Sequence, residues 1–262
     1  MTHDPVDLIL SCPRVVCPRS GRDAAGSVVV HEGLITAVDP PELPPAIETL
    51  EFAEGVLLPG LIDLHAHPAI SGSKYGVAPD IEFLPRGVTT VLSQGDAGAE
   101  NWATYREETI GGSRTRVRLA ISISRHGESP DRPCLDDPDW LDVDACVEAI
   151  HDGGSLIWGI AVNCSRASCG STDPQLALAR SLQAAEETGR PLLYGLREDE
   201  DWPFSEQFSQ LRDGDVVTYS YRSEPHGIVA AGRVRPEVLA AREKGVLFDV
   251  GHGMNSLDFD VL

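Results

Sequence analysis

From residue 57 onward, apolar runs alternate with amphipathic stretches. The runs fall at 61–65, 88–93, 117–123, 156–162, 191–195, 216–220 and 246–250. Segments this apolar suit strands buried on both faces, as in a parallel sheet. Two of the intervening stretches carry helix signals. In "DPQLALARSLQAAEETGRP", Asp173 can cap, Pro174 suits the first turn, and Gly189 followed by Pro191 ends the helix. "RPEVLAAREKG" repeats the plan with Pro236 and Gly245. Repeated strand–helix units predict an α/β fold, most simply a (β/α)8 TIM-type barrel, with a doubly wound open sheet as the alternative. Seven strands are counted where a closed barrel has eight. The expectation is a barrel lacking its last strand: a fragment, a truncated product or a chain completed by a partner.

The first 58 residues follow another pattern. Residues 7–10 and 27–39 read as short strands, and "SVVVHEGLITAV" has two β-rich arms around Glu32-Gly33, which predicts a hairpin. The proline-rich "DPPELPPAIE" at 39–48 interrupts the pattern. The division expected is a small N-terminal β-sandwich portion at 1–58 and a barrel at 59–262.

Charge narrows the partners. The 262-residue chain has a formal net charge of −20. Such a field repels nucleic acid and anionic membrane, so neither is expected, and a small molecule is the expected partner. Whether the chain forms a homo-oligomer is left open. No run of 18 apolar residues and no basic n-region with an apolar core is present, which predicts a cytoplasmic protein. The six cysteines show no Cys-x-x-Cys spacing and are expected as reduced thiols.

The candidate chemistry begins at "GVLLPGLIDLHAHPA", residues 55–69. Residues two apart on a strand project to one side, so His65 and His67 point together. At the C-terminal end of a first barrel strand they would stand at the mouth, where barrel active sites are built. Neutral imidazoles there can hold zinc or a similar metal. There is no Gly-x-Ser-x-Gly elbow and no glycine-rich dinucleotide or phosphate loop.

"LPGLIDLHAHPA" resembles the first barrel strand of the amidohydrolase superfamily. "GVAPDIEFLPRGVTTVLSQGDAGAENW", "RASCGSTDP" and "GVLFDVGHG" resemble its branch of dihydroorotase-like deacetylases. The resemblance covers nearly the whole chain, the N-terminal β portion included. It implies a metal-dependent hydrolase in which a divalent metal activates water against a small amide or ester. The implied ligands are the His-x-His pair, a carboxylated lysine ending strand 4, histidines ending strands 5 and 6, and an aspartate ending strand 8.

Much of that set has no counterpart here. Ala161 stands where the lysine is expected, Tyr194 and Tyr219 where the two histidines are expected, and strand 8 is not found. Neither Lys74 nor Lys244, the only lysines, lies near a strand-4 end. The expected site therefore holds at most one metal, zinc by preference, on His65 and His67, helped by Asp96, Glu198 or His252. Asp96 and His252 are the candidate catalytic residues. Tyr194, Tyr219 and Arg166 are the candidate substrate contacts, with Arg166 suited to a carboxylate. Asp63 is a candidate orienter of an imidazole, and Ser165 follows strand 4 beside Arg166. The alternative is a barrel that has lost its metal centre and binds a small molecule without turnover, the two tyrosines plugging the emptied space.

Overall fold

The computed structural model describes residues 4–129, 131–197, 201–253 and 256–262. The chain divides into two compact units, Met1–Gly60 and Leu61–Leu262.

The first unit is a four-stranded sheet in the order β3-β2-β1-β4. β1 (Val6–Cys17) pairs antiparallel with β2 (Arg22–His31) and parallel with β4 (Ala46–Glu51). β2 turns into β3 (Leu34–Val38) through Glu32 and Gly33, both at positive φ, 51° and 73°. That is the two-residue hairpin the sequence pattern predicts. The proline-rich segment ends where β4 begins at Ala46, so its last residues are strand rather than loop. Cys12, Val15 and Val28 form this unit's core.

The second unit is a seven-stranded parallel sheet whose strands neighbour one another in chain order. They are β5 (Leu61–Ala66), β6 (Val88–Gln94), β7 (Arg116–Ser122), β8 (Ile157–Asn163), β9 (Leu192–Gly195), β10 (Val216–Thr218) and, after the short hairpin of β11 (Val229–Ala230) and β12 (Arg233–Val234), β13 (Leu247–Phe248). The connections carry α1 (Pro79–Glu82), α2 (Trp102–Thr104), α3 (Val143–Gly153), α4 (Arg166–Cys169), α5 (Pro174–Thr188), α6 (Phe204–Gln210) and α7 (Pro236–Glu243). Parallel strands joined in sequence by helical crossovers make this an α/β fold of the TIM type.

The sheet's two faces bury different clusters. Ile121, Ile160, Leu192 and Tyr194 belong to the large cluster shared with the helices, among them Ala149 of α3 and Leu178 of α5. Leu92, Ala120, Ala161 and Leu193 form a separate cluster on the opposite face. The helices start as the sequence dictates. Asp173 accepts from the Gln175 N–H, Pro174 sits in the first turn, and Gly189 ends α5 at φ 65°. At α3 Asp142 accepts from the Ala145 N–H.

Candidate active site

β5 ends in His65 and Ala66, His67 follows directly, and each imidazole is held by a different set of neighbours. His67 Nδ1 lies 2.8 Å from Asp96 Oδ1. Asp96 follows β6 and is buried; it also accepts the Ser73 hydroxyl at 2.6 Å and the Ser93 hydroxyl at 2.6 Å. A carboxylate so surrounded accepts the Nδ1 proton, which leaves the lone pair on Nε2. Burial disfavours protonation of His67, but the hydrogen bond and charge of Asp96, joined by Glu128, outweigh it and raise its pKa above the ordinary imidazole value.

His65 is enclosed. Its Nδ1 lies 2.8 Å from Thr218 Oγ1 and 3.2 Å from Asp249 Oδ2, and its Nε2 lies 2.9 Å from the Tyr219 hydroxyl. Tyr219 also hydrogen-bonds Gln94 Oε1. An amide oxygen only accepts, so the phenol proton goes to Gln94 and the phenol oxygen takes Nε2–H from His65. Burial is the first cause that drives the Tyr219 pKa up and keeps its proton in place. Gly251, at φ 51°, runs its backbone against Thr218 and His65, and a Cβ there would collide with Thr218 Oγ1. Glycine next to His252 thus serves a close backbone approach.

A cavity of about 820 Å³ opens at this end of the strands. His67, Tyr219, Lys74, Glu128, Arg166 and Arg222 are among the residues lining it. Lys74 Nζ stands 3.5 Å from Glu128 Oε2. Arg166 Nη2 is 3.8 Å from Asp201 Oδ2, and Arg222 Nε donates to the Tyr219 carbonyl at 3.0 Å. Tyr75 sits over His67 with ring centroids 5.2 Å apart. The mouth gathers cations on a chain whose net charge is −20.

Of the residues singled out from sequence, His65, His67, Asp96, Tyr219 and Arg166 meet here, and Ser165 lines the same cavity. Tyr194 does not. Its side chain lies in the core on the helix side, with its hydroxyl 2.7 Å from Gln207 Oε1. On β9 it is Leu193 that joins the opposite face, so the expected phase was off by one residue, which moves a side chain across the sheet. His252 is exposed and is not among the cavity-lining residues, although its neighbour Gly253 is. Asp63 accepts the His65 backbone N–H at 3.0 Å rather than orienting an imidazole. Glu198 lies outside the described residues. Lys74, Tyr75, Gln94, Glu128, Thr218, Arg222 and Asp249 are site residues that the sequence pattern did not disclose.

The expected divalent metal fails a test against this geometry. His65 Nε2 spends its proton on Tyr219, and a protonated ring nitrogen has no lone pair for a cation. The two imidazole centroids are 6.4 Å apart, whereas two imidazoles on one tetrahedral metal stand roughly 5 Å apart. Among the described residues, no three His, Cys, Asp or Glu side chains converge as a metal site needs. The residues present do not fit a metal held by the His65–His67 pair.

All six cysteines are free thiols. No helix among the described residues is long and apolar enough to cross a membrane.

No protein-family model matches the chain. It is 28% identical over 238 residues to a deacetylase of Enterococcus faecalis, covering 89% of this chain and 63% of that protein. Against a deacetylase of Agrobacterium fabrum it is 28% identical, covering 88% and 57%. The chain thus spans about 60% of the length of these curated relatives. Among solved structures, an adenine deaminase superposes with a TM-score of 0.85 at 26% identity, and a dihydroorotase with 0.84 at 25%, each over 98% of this chain and 68% of the other. With the deacetylases in sequence and these two enzymes in structure as its relatives, the chain belongs to the amidohydrolase superfamily.

Proposed function

We propose that the chain is a hydrolase of small amides or esters that carry an anionic group, acting at the mouth described above. The observation that carries this reading is the His67–Asp96 pair, 2.8 Å apart, with His67 facing a cavity of about 820 Å³. Two curated relatives named as deacetylases support the reaction class.

In this reading His67 Nε2 takes a proton from water as the water oxygen attacks the carbonyl carbon, then returns it to the departing amine or alcohol. Asp96 fixes the tautomer that makes this possible and balances the imidazolium formed in between. Ser73 and Ser93 hold the carboxylate still. Lys74, Arg166 and Arg222 place positive charge along the cavity wall, where a substrate carboxylate is held for attack.

A second reading, binding of the same ligands without turnover, is favoured by one observation: both nitrogens of His65 are engaged by protein groups. The two are separated by assaying the purified full chain against a panel of N-acyl amino acids and O-acyl hydroxy acids, beside calorimetric binding of the same compounds. Turnover abolished in His67→Ala, with binding retained, supports the hydrolase. Binding without product in the wild type supports the second reading. Neither binding nor turnover across the panel rejects both.

A further inference from the structure

The disagreement between the His-x-His motif and its surroundings carries an inference that goes beyond the proposed reaction. We infer that Tyr219 is a positioning residue that locks His65 into the barrel wall with Nε2 protonated, so that His65 and His67 in this chain do not hold a divalent metal together.

Three independent observations bear on it. The first is the hydrogen-bond order. Tyr219 has one proton and gives it to Gln94, so its oxygen is left as the acceptor for His65 Nε2–H. The Tyr219 and His65 rings also meet edge to face with centroids 4.7 Å apart, which fixes the imidazole plane.

The second is backbone conformation. Tyr219 sits at φ 59°, the left-handed region that a bulky side chain rarely enters. Such a conformation is costly and persists only where the surroundings over-determine it. Here the surroundings are visible. Arg222 donates to the Tyr219 carbonyl, Gln94 and His65 fix its hydroxyl, and Gly251 packs against its N–H side. The strained turn lays the phenol across the mouth toward β5 instead of continuing the line of β10.

The third is the far side of His65. Thr218 Oγ1 and Asp249 Oδ2 both lie against Nδ1, and the Thr218 hydroxyl gives its one proton to Asp249 at 3.1 Å. A ring rotation that freed Nε2 would break these contacts and leave the half-buried Asp249 carboxylate without its imidazole partner. Ala161, on the face of β8 opposite the helices, offers no ligand in compensation.

Divalent cobalt and zinc are the probes, used on the full chain. After equilibrium dialysis, the wild type is expected to retain no more metal than His65→Ala. Tyr219→His replaces the lock by a third imidazole and is expected to raise metal affinity at least about tenfold, with cobalt giving a visible ligand-field band that the additional change His65→Ala removes. Tyr219→Phe keeps the ring and removes only the hydroxyl. In this variant the His65 ring nitrogens, followed by 15N NMR, are expected to shift and to respond to zinc, whereas those of the wild type do not respond.

About one zinc per wild-type chain, lost in His65→Ala, overturns the inference. So do His65 signals in Tyr219→Phe that match the wild type with and without zinc. Should Tyr219→His fail to fold, the Tyr219→Phe spectra decide alone. None of these readouts uses turnover, so a failed hydrolase assay leaves the lock standing, and a failed lock leaves the hydrolase reading to its own test.

Discussion

The Tyr219 hydroxyl stands 2.9 Å from His65 Nε2 although the residues are 154 positions apart. The contact spans from the end of β10 to the end of β5, and Asp249, just past β13, reaches the same imidazole from the other side at 3.2 Å. His65 is therefore where the first and last strands of the seven-stranded sheet are tied by side chains, since no ladder joins those strands. A metal ligand is exposed to its cation. This imidazole is buried, at 8% exposure, and hydrogen-bonded on both nitrogens.

That knot depends on Gly251. At φ 51° and against Thr218 Oγ1, the position has no room for a methyl group. Gly251→Ala is expected to destabilise the protein by more than about 1 kcal/mol, because the left-handed backbone disfavours alanine and the new Cβ pushes Thr218 off His65. Urea unfolding checks this. A midpoint equal to that of the wild type would mean the loop simply moves away and the knot contributes little.

Tyr194 gives a contrasting case. Its hydroxyl bonds Gln207 Oε1, which also accepts the Arg197 N–H at 3.0 Å, so removing the hydroxyl does not orphan the amide. Tyr194→Phe is expected to cost about 1 kcal/mol of stability, the net worth of one hydrogen bond. Ligand affinity at the mouth should stay unchanged. Calorimetry that finds weakened ligand binding with no change in stability would return Tyr194 to the site.

The difference between these two tyrosines explains what the sequence discloses. The seven strands were legible because each is a compact apolar run, and α5 because Asp173, Pro174 and Gly189 punctuate it. The face each strand residue takes was not legible on β9, where all four residues are buried and no polar alternation sets the phase. Asp96 could be singled out because it follows a strand on the mouth side. Asp249 could not, since its partner lies 184 positions away and nothing local marks a carboxylate after a strand as special. Lys74 and Tyr75 sit in an irregular segment after β5, where no period exists to read.

Asp142 offers a test by pH. The Ala145 N–H first, and the Arg125 guanidinium after it, stabilise its ionised form and lower its pKa below the usual carboxylate value. A depressed folded-state pKa contributes stability that is present above the unfolded value, about 3.9, and is lost as pH falls through the folded one. Asp142→Ala should cost about 1 kcal/mol near pH 7, as the loss of a helix cap does. The gap from wild type should begin to close below about pH 4. Thermal melts of both proteins between pH 7 and 3 measure it, and a gap constant across that range would assign the effect to packing instead of charge.

If the mouth hydrolyses amides or esters, Asp96→Asn is expected to lower kcat by about 10³–10⁴ while KM changes little. An asparagine amide turned toward His67 favours the tautomer whose Nε2 carries the proton, and a general base then has nothing to accept with. Steady-state kinetics on the best substrate of the panel decide it. A variant that keeps wild-type kcat would show that His67 does not act through Asp96.

The last expectation concerns charge at the mouth. Lys74 Nζ sits 3.5 Å from Glu128, and the cavity they line also carries Arg166 and Arg222. An anionic ligand entering a protein of net charge −20 meets repulsion until these cations dominate the local field. Lys74→Ala removes one cation and leaves Glu128 uncompensated, so both changes oppose an anion. The Kd of a carboxylated ligand should rise several-fold, and that of its neutral amide analogue should hardly move. Salt should weaken binding of the carboxylate in the wild type, since screening shortens the reach of the cations at the cavity rim. Titration calorimetry of the two ligands at low and high ionic strength checks both points. Equal affinities for the charged and neutral ligands would mean that the cations at the mouth serve the fold and not the substrate.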